Sequence, residues 1–537
     1  MADKVQFAAR LRGAKAGRTS ANEPGLLSAW RWWLPPSAVA LVLILVLVDP
    51  FIGDWDALEY TLSALHGTPS SMALGRSLFI FFNHGLYVVA HAVFHLQPQQ
   101  AYLLFKYVVV AQGPLVVLAC WQLTCDLPGS KYAATVAALL VTFSPVFVIY
   151  SGQVMTDVPA LLLTTVALIV HLRGLQQRRV WLVIAGAALL GAGVNLRETV
   201  GFYGPWLVCA PFVCGWRANR RGLLLVVLSC AVFVIFAGSG FVYWFLSDPS
   251  YRAAWHGWRE SMRVESAVHP VRIQNVWPWL LFFLATSPLV LLTLPMAFLS
   301  EWRRRKLSPI LLLAAIGLLA NLLLLLNYST TIGWRYLSTG LPALAPLCAN
   351  YLFRSMTRRL GTERRAFIAS AAAIALIGVS FGVFLWPLRS ATMNVRAASK
   401  VYDRKLMKVP RDAVMISGAQ TVAVIYWRGI GAGEWDVIGP GAGWPQGRLE
   451  NTIADYLKSG RRVFLDADPR WWQPCGWHVS EINELVKIET QFHFRKVSPT
   501  VFEILSLDDP SGGDQPHLEN LLPENRPEEV KRCFNSG

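Results

Sequence analysis

Three carboxylates stand together in the segment Gly53-Asp54-Trp55-Asp56-Ala57-Leu58-Glu59, directly after the first long apolar run of the chain. A carboxylate at the edge of the hydrocarbon layer is costly to dehydrate, which favours a functional role. Asp56 and Glu59 are three residues apart and would share one face of a helix. An acid in a first helical turn is also favoured by the helix dipole, and this structural alternative suits Asp54 best. A carboxylate at this level can act as a general base, and we favour Asp56.

Further ionisable residues lie at the ends of later apolar runs. Asp157 opens one of these runs, where the alternative is that Thr156 or Asp157 simply caps the next helix. Arg197 and Glu198 separate two other runs, where the alternative is a mutual or interhelical ion pair. These residues are candidates for binding or orienting a substrate.

Arg335 and Tyr336 follow Gly333-Trp334 at the start of another apolar run. The alternative there is an arginine that extends to the membrane interface without binding anything. A guanidinium matches phosphate oxygens with paired donors, so Arg335 is a candidate phosphate ligand, with Tyr336 beside it.

The composition is that of a polytopic α-helical membrane protein. Of the 537 residues 54% are hydrophobic and only 15% are charged, well below the roughly 25% of soluble domains. The net charge of +16 resides in short loops between apolar blocks, which is typical of topology signals and does not indicate nucleic acid. Twelve blocks approach the length of a membrane span. They lie near 34–52, 77–95, 101–123, 132–151, 155–172, 180–195, 200–215, 222–246, 276–300, 307–327, 335–353 and 366–387.

Four connections are strongly basic, which places them in the cytoplasm. They contain Arg173, Arg178 and Arg179; Arg217, Arg220 and Arg221; Arg303, Arg304, Arg305 and Lys306; and Arg354, Arg358, Arg359, Arg364 and Arg365. With a cytoplasmic basic N-terminus over 1–33, the first of these connections would fall outside unless one earlier block does not cross.

We expect the block 77–95 to be that exception, because it carries Arg76 at its edge together with several polar side chains. As a juxtamembrane helix it leaves about eleven spans within 34–390 and makes 53–100 a long external loop. All the candidate acids and arginines then lie on the extracytoplasmic side of the cell membrane. Its His84, His91 and His95 share one helical face; we favour a polar packing face over a metal site. No cofactor is required by the proposed roles of these residues, and the sequence leaves open whether a divalent metal ion binds.

The C-terminal region has the composition of a small α/β domain over 400–507, followed by a polar tail over 508–537 that we expect to be disordered. The predicted strands are 413–417, 435–438, 462–466 and 501–505, and the predicted helices are 449–458 and 480–490. Asp466 and Asp468 end a predicted strand, and we favour loop capping for them. Counting the crossings from a cytoplasmic N-terminus places this domain outside the cytoplasm, where Cys475 and Cys533 could form a disulfide.

The order and sidedness of these motifs resemble the GT-C superfamily of polytopic glycosyltransferases, in the bacterial branch related to protein O-mannosyltransferases, aminoarabinose transferases and rhizobial lipopolysaccharide-core transferases. The resemblance covers about residues 34–390. It depends on the acids that open the first external loop, the helix along the membrane, and Asp157 after Ser144-Pro145 and Tyr150-Ser151-Gly152. Arg335-Tyr336 at the start of a late span also fits. The spacing of Asp56 and Glu59 departs from the Asp-Glu pair of the protein O-mannosyltransferases.

The resemblance implies transfer of a sugar from a polyprenyl-phosphate donor to an envelope acceptor (a lipid, glycan or protein) with inversion at the anomeric carbon. Asp56 would be the base, with Asp54 in second place, and Asp157 would orient the acceptor. Arg335, with Arg197, would bind the phosphate. The main alternative is a transporter or lipid flippase, which would carry charges near the bilayer midplane; another is a non-enzymatic assembly protein.

Overall fold

The structure is a computed structural model. It describes residues 29–48, 55–70, 76–127, 129–249, 251–252, 255–256, 288–304, 307–327 and 338–380, and in the C-terminal part 409–410, 412–417, 436–438, 449–469, 472, 478–509, 512–522 and 525. Asp54, Arg335, Tyr336, Cys475 and Cys533 lie outside the described residues. The described chain is helical up to residue 380 and contains a small sheet after 412, so the predicted fold class is confirmed in outline.

The N-terminal part is built from apolar helices joined mostly by short connections. Up to residue 360 the α-helices are α1 Trp30–Leu47, α2 Trp55–His66, α3 Ser77–Phe94, α4 Ala101–Asp126, α5 Lys131–Thr142, α6 Pro145–Ser151, α7 Asp157–Gln177, α8 Val180–Val194, α9 Gly204–Val213, α10 Arg220–Ser247, α11 Pro288–Trp302, α12 Pro309–Asn327 and α13 Leu341–Leu360. Residues 363–380 are helical too. Among the described residues, five helices (α1, α3, α4, α7 and α10) have the length and hydropathy of a membrane span, or six spans if the bent pair α5–α6 is one. The chain is therefore a multi-pass membrane protein, and the total of eleven spans stays a prediction.

Two apolar blocks are not the single straight helices that their length suggests. The block 132–151 is divided into α5 and α6, which are bent by 65° at Ser144-Pro145, because proline cannot donate its backbone hydrogen bond and clashes with the preceding turn. The block 200–215 begins as a 3-10 helix, Glu198–Tyr203, and continues as the ten-residue α9.

Helix α3 corresponds to the block 77–95, which the count of membrane crossings predicted not to span. Its 18 residues have the hydropathy of a span, and Phe82, Val89 and Phe94 on it are exposed. Length and apolarity are shared by a spanning helix and by one lying along the membrane, so its juxtamembrane placement stays a prediction.

The helices differ in how far they are buried in the bundle. In α7, 72% of the most apolar 18-residue stretch is buried, compared with 17% of the corresponding stretch in α10. An α-helix that is apolar on all sides but exposed in the protein is suited to face lipid. Helix α7 therefore occupies the centre of the bundle and α10 its periphery.

Asn195, at the end of α8, joins three helices. Its side-chain Nδ2 donates to the carbonyl of Phe236 (2.6 Å), and its Oδ1 accepts from the N–H of Gly240 (3.2 Å) and the hydroxyl of Ser77 (3.4 Å). Its carbonyl accepts from the N–H of Leu78 (3.2 Å). A Cβ on Gly240 would lie 1.8 Å from the Ser77 hydroxyl, so only glycine permits this approach of α10 to α3. The clamp fixes the start of α3 beside the residues that follow α8.

The C-terminal sheet has five strands, β1 Val414–Ser417, β2 Asp436–Ile438, β3 Val463–Asp466, β4 His493–Lys496 and β5 Val501–Leu505, in the order β2-β1-β3-β5-β4. β1 is parallel to β2 and β3, and β5 is antiparallel to β3 and β4. Helices α14 Leu449–Lys458 and α15 His478–Ile488 complete the unit. Four strands and both helices fall where the sequence predicts them. The edge strand β4 was not predicted, because its residues His-Phe-Arg-Lys carry a single buried apolar side chain.

Part of the segment assigned to a disordered tail packs on this domain. Residues 518–521 form a 3-10 turn in which Leu518 and Leu521 are fully buried. The carboxylate of Glu489 accepts the backbone N–H groups of His517 and Leu518 (2.8 and 2.9 Å). The average polarity of the tail conceals these two leucines.

The side chain of Glu503 on β5 is 4% exposed and accepts hydrogen bonds from Arg462 (Nε, 2.6 Å) and Arg495. Burial alone would raise its pKa, but the bonds to the two arginines outweigh it and lower the pKa. The ionised Glu503 carboxylate therefore stabilises the folded domain at any pH above about 4.3, the pKa of an unfolded glutamate. This stabilisation is lost as the pH falls through the lower pKa of the folded state.

We predict that Glu503→Gln lowers the free energy of unfolding of the C-terminal domain by about 1–3 kcal/mol at pH 7, because a charged acceptor is lost from both bonds. The deficit should shrink below pH 4. Urea-dependent proteolysis of that domain in the full-length protein measures both effects. Glu519→Gln, an exposed site on the same domain, is the control; an equal loss there would contradict the prediction.

Candidate functional site

Helix α2 presents an acid and a phenol from one buried face. Asp56, in its first turn, and Tyr60 are four residues apart, and they are 8% and 1% exposed. Glu59 is half-buried and accepts a hydrogen bond from the Ser70 hydroxyl (3.0 Å). Asp56 is thus largely enclosed by protein.

Arg76, just before α3, joins α2 to the segment after α8. Its Nε donates to the Tyr60 hydroxyl (3.3 Å), and its Nη atoms form an ion pair with Glu198. Arg76 has a left-handed backbone with φ +49°, which is uncommon for a residue with a side chain and is often found at functional sites. It is 5% exposed.

Asp157 and Arg197 form a second ion pair in the same region. Arg197 Nη1 lies 2.6 Å from Asp157 Oδ2 and 3.3 Å from the Thr156 hydroxyl, and both charged side chains are 3% exposed or less. The structure supports the capping alternative only in part. Asp157 is the first residue of α7, as a residue at a helix start should be, but the Thr156 hydroxyl accepts a hydrogen bond from Arg197. The alternative of interhelical ion pairs holds for both Arg197 and Glu198.

Tyr60 shows that these residues form one cluster. Asp56, Glu59, Arg76 and Arg197 all lie close enough to act electrostatically on its hydroxyl. Burial raises the pKa of Tyr60 to about 12; the two acids add to the rise and the two arginines oppose it. Because α2, with 12 residues, is too short to span the membrane, the phenol lies outside the membrane-spanning helices. It stays protonated at neutral pH and can donate a hydrogen bond.

Lys106, 1% exposed, lies six residues into α4, with its ammonium 4.6 Å from the centre of the Tyr102 ring. The sequence analysis overlooked it within the apolar block 101–123. An isolated charge so close to the end of a span is the signal that could have identified it. Arg76 was likewise considered only as a reason against crossing.

In the described membrane part, five Asp, Glu, Lys or Arg side chains are buried: Asp56, Arg76, Lys106, Asp157 and Arg197. Each lies within about two turns of a helix end next to a connection that the loop charges assign to the outside. At the other end of the bundle, Arg173 Nε lies 2.6 Å from Asp126 Oδ2, but Arg173 is 40% exposed. Buried charge is thus concentrated at one end, which is the end that the loop charges assign to the outside.

Of the predicted histidine face, His84 packs against another helix, whereas His91 and His95 are exposed. His84 Nδ1 lies 2.9 Å from the carbonyl of Ala64 on α2, and His91 Nδ1 lies 2.8 Å from that of Leu96. Within the described ranges, no three His, Cys, Asp or Glu side chains are grouped as metal ligands.

Similarity to known proteins covers part of the chain by sequence and most of it by fold. A family model for dolichyl-phosphate-mannose-protein mannosyltransferase matches residues 87–244, a range that contains Lys106, Asp157 and Arg197. A comparison with curated proteins finds no match.

Two solved structures are similar to this chain over most of its length. ArnT from Cupriavidus metallidurans, bound to undecaprenyl phosphate, is 15% identical with a TM-score of 0.58, over 90% of this chain and 100% of that one. The oligosaccharyltransferase of Archaeoglobus fulgidus in the apo form is 13% identical with a TM-score of 0.51, over 90% of this chain and 75% of that one. The resemblance noted from the sequence is confirmed at the level of architecture: this chain has the fold of the GT-C glycosyltransferases.

Proposed function

We propose that this protein transfers a sugar from a polyprenyl-phosphate donor to an acceptor at the extracytoplasmic face of the membrane. The observation that carries the proposal is the cluster of buried acids and bases at the external end of the bundle. A transporter would require its charges near the midplane, whereas these lie at helix ends, where a lipid headgroup would be. The matched family and the ArnT complex with undecaprenyl phosphate support this donor class.

Asp56 is the proposed base. Its carboxylate would take the proton from the acceptor hydroxyl as that oxygen attacks the anomeric carbon, and the lipid phosphate would leave from the opposite face, which inverts the configuration. Asp54 is the second choice. Asp157, held by Arg197, would orient the acceptor, and Glu59 and Glu198 would accept hydrogen bonds from sugar hydroxyls.

The leaving phosphate gains negative charge as the glycosidic bond breaks, and a positioned cation stabilises it. Arg335, with Tyr336 beside it, is the proposed ligand, and Lys106 is a second candidate because it is a buried cation at the same end of the bundle. Arg197 is engaged with Asp157, so we assign it first to positioning that acid. The sugar is a hexose or pentose, and the acceptor is an envelope lipid, glycan or protein.

We predict that Asp56→Asn lowers sugar transfer at least about a hundredfold, since the loss of a general base costs roughly that or more. The measurement is transfer from radiolabelled polyprenyl-phosphate sugars in membranes. Asp126→Asn, which removes a paired acid at the opposite end, should retain activity. Unchanged transfer by Asp56→Asn would exclude Asp56 as the base and move the assignment to Asp54.

A second prediction separates the structural from the catalytic contribution of Asp157. Arg197→Gln leaves a buried carboxylate unpaired and should lower stability by about 3–5 kcal/mol, while Arg173→Gln, on an exposed arginine, should cost far less. The double variant Asp157→Asn/Arg197→Gln should regain most of the lost stability but not the activity. Thermal unfolding and transfer assays on the same preparations test this; recovery of both would assign the pair to structure alone.

The proposed sidedness puts the N-terminus in the cytoplasm and the C-terminal domain outside. We predict that alkaline phosphatase fused after residue 525 is active, and that the same enzyme inserted between Arg178 and Arg179 is inactive, because it folds only outside the cytoplasm. The opposite result would place the acid cluster on the cytoplasmic side and overturn the assignment of the donor face.

A further inference from the structure

A polar cavity lies at the end of the bundle away from the acid cluster. It has a volume of about 80 Å³, is partly open, and is formed between the end of α11, the start of α12 and the end of α13. Ala297 and Leu347 are buried in its wall. The remaining lining is mostly polar and includes Ser300, Glu301, Tyr351, Ser355, Arg354 and Arg358.

The cavity is separate from the proposed transfer site. The carbonyl of Thr339 accepts from the Tyr203 hydroxyl (2.6 Å), which ties the start of α13 to the segment that carries Arg197 and Glu198. Arg354 is 15 residues further along the chain, or about 22 Å at 1.5 Å per residue. The cavity therefore lies toward the opposite end of the bundle, beside the basic connections assigned to the cytoplasm.

The cavity carries excess positive charge. Glu301 Oε2 lies 3.3 Å from Arg304 Nη1 and 3.6 Å from Arg354 Nη1, and Arg304 and Arg358 both act electrostatically on Arg354. The lining thus contains one carboxylate and two guanidinium groups, and the carboxylate is shared with Arg304 beside the cavity. The positive-inside rule explains why arginines are on this side, but it does not require two of them to line a cavity with hydroxyl groups.

We propose that this cavity binds the phosphate headgroup of an anionic lipid from the cytoplasmic leaflet. Guanidinium and hydroxyl donors match phosphate oxygens, and basic pockets between helices on this side suit lipid headgroups. Beside the cavity, α11 exposes an apolar stripe, Leu292, Met296 and Leu299, along which acyl chains can lie. The bound lipid would join α11, α12 and α13.

The test is native mass spectrometry of the full-length protein from mixed micelles containing phosphatidylglycerol and phosphatidylcholine. Wild type should retain phosphatidylglycerol selectively, and Arg358→Gln should reduce that retention at least about tenfold. The control is Arg359→Gln, which removes the same charge one residue along and does not line the cavity. Ser300→Leu, which fills the cavity without a change of charge, should also abolish retention.

Three results would overturn the proposal. Equal losses in Arg358→Gln and Arg359→Gln would indicate general charge attraction, and undiminished retention in both Arg358→Gln and Ser300→Leu would place the lipid elsewhere. In lipid-free detergent, stabilisation of wild type but not of Arg358→Gln by inorganic phosphate, without lipid retention in micelles, would assign the cavity to a soluble anion.

Discussion

The cost of removing charge from water governs the end of this protein that carries the acid cluster. Asp157 and Arg197 are almost completely enclosed, and each is tolerable there only because the other is 2.6 Å away. The same condition holds Arg76 against Glu198 and Tyr60. Because these partners belong to different segments, satisfying each charge also brings α2, α7 and the residues after α8 together. The walls of the proposed site are thus assembled by the requirement that its own charges be paired.

Loop charges and apolar runs were enough to predict much of this arrangement. Counting basic connections put Asp56, Asp157 and Arg197 at one end, and local periodicity placed most elements of the C-terminal domain. The pairing itself was not predictable, since Arg197 and Asp157 are 40 residues apart in sequence and Arg76 and Glu198 are 122 apart. Such partners depend on how helices pack, which a local pattern does not encode. Lys106 was overlooked for a different reason: averaging hydropathy over a block conceals a single charge.

The broken blocks show what an apolar run does not specify. Hydropathy measures how much apolar chain is available, but a proline decides its direction, and α5–α6 turns by 65° at Pro145. This bend lies shortly before Asp157, so the short helix α6 leads into the site from within the bundle. The 3-10 turn Glu198–Tyr203 similarly replaces the first turns of an expected span and presents Glu198 to Arg76. Irregular backbone at this depth is tolerated where protein surrounds it.

The clamp at Asn195 has a consequence under the proposed function. A phosphodiester donor would arrive with one negative charge and leave as a phosphate monoester carrying more. An architecture held together only by ion pairs at the same level would feel that change at every turnover. Asn195 is neutral and holds α10 through the carbonyl of Phe236 and the N–H of Gly240, and α3 through the Ser77 hydroxyl and the N–H of Leu78. Under the proposed function this neutral framework would keep its hydrogen bonds as product replaces donor, and only the nearby ion pairs would respond to the change of charge.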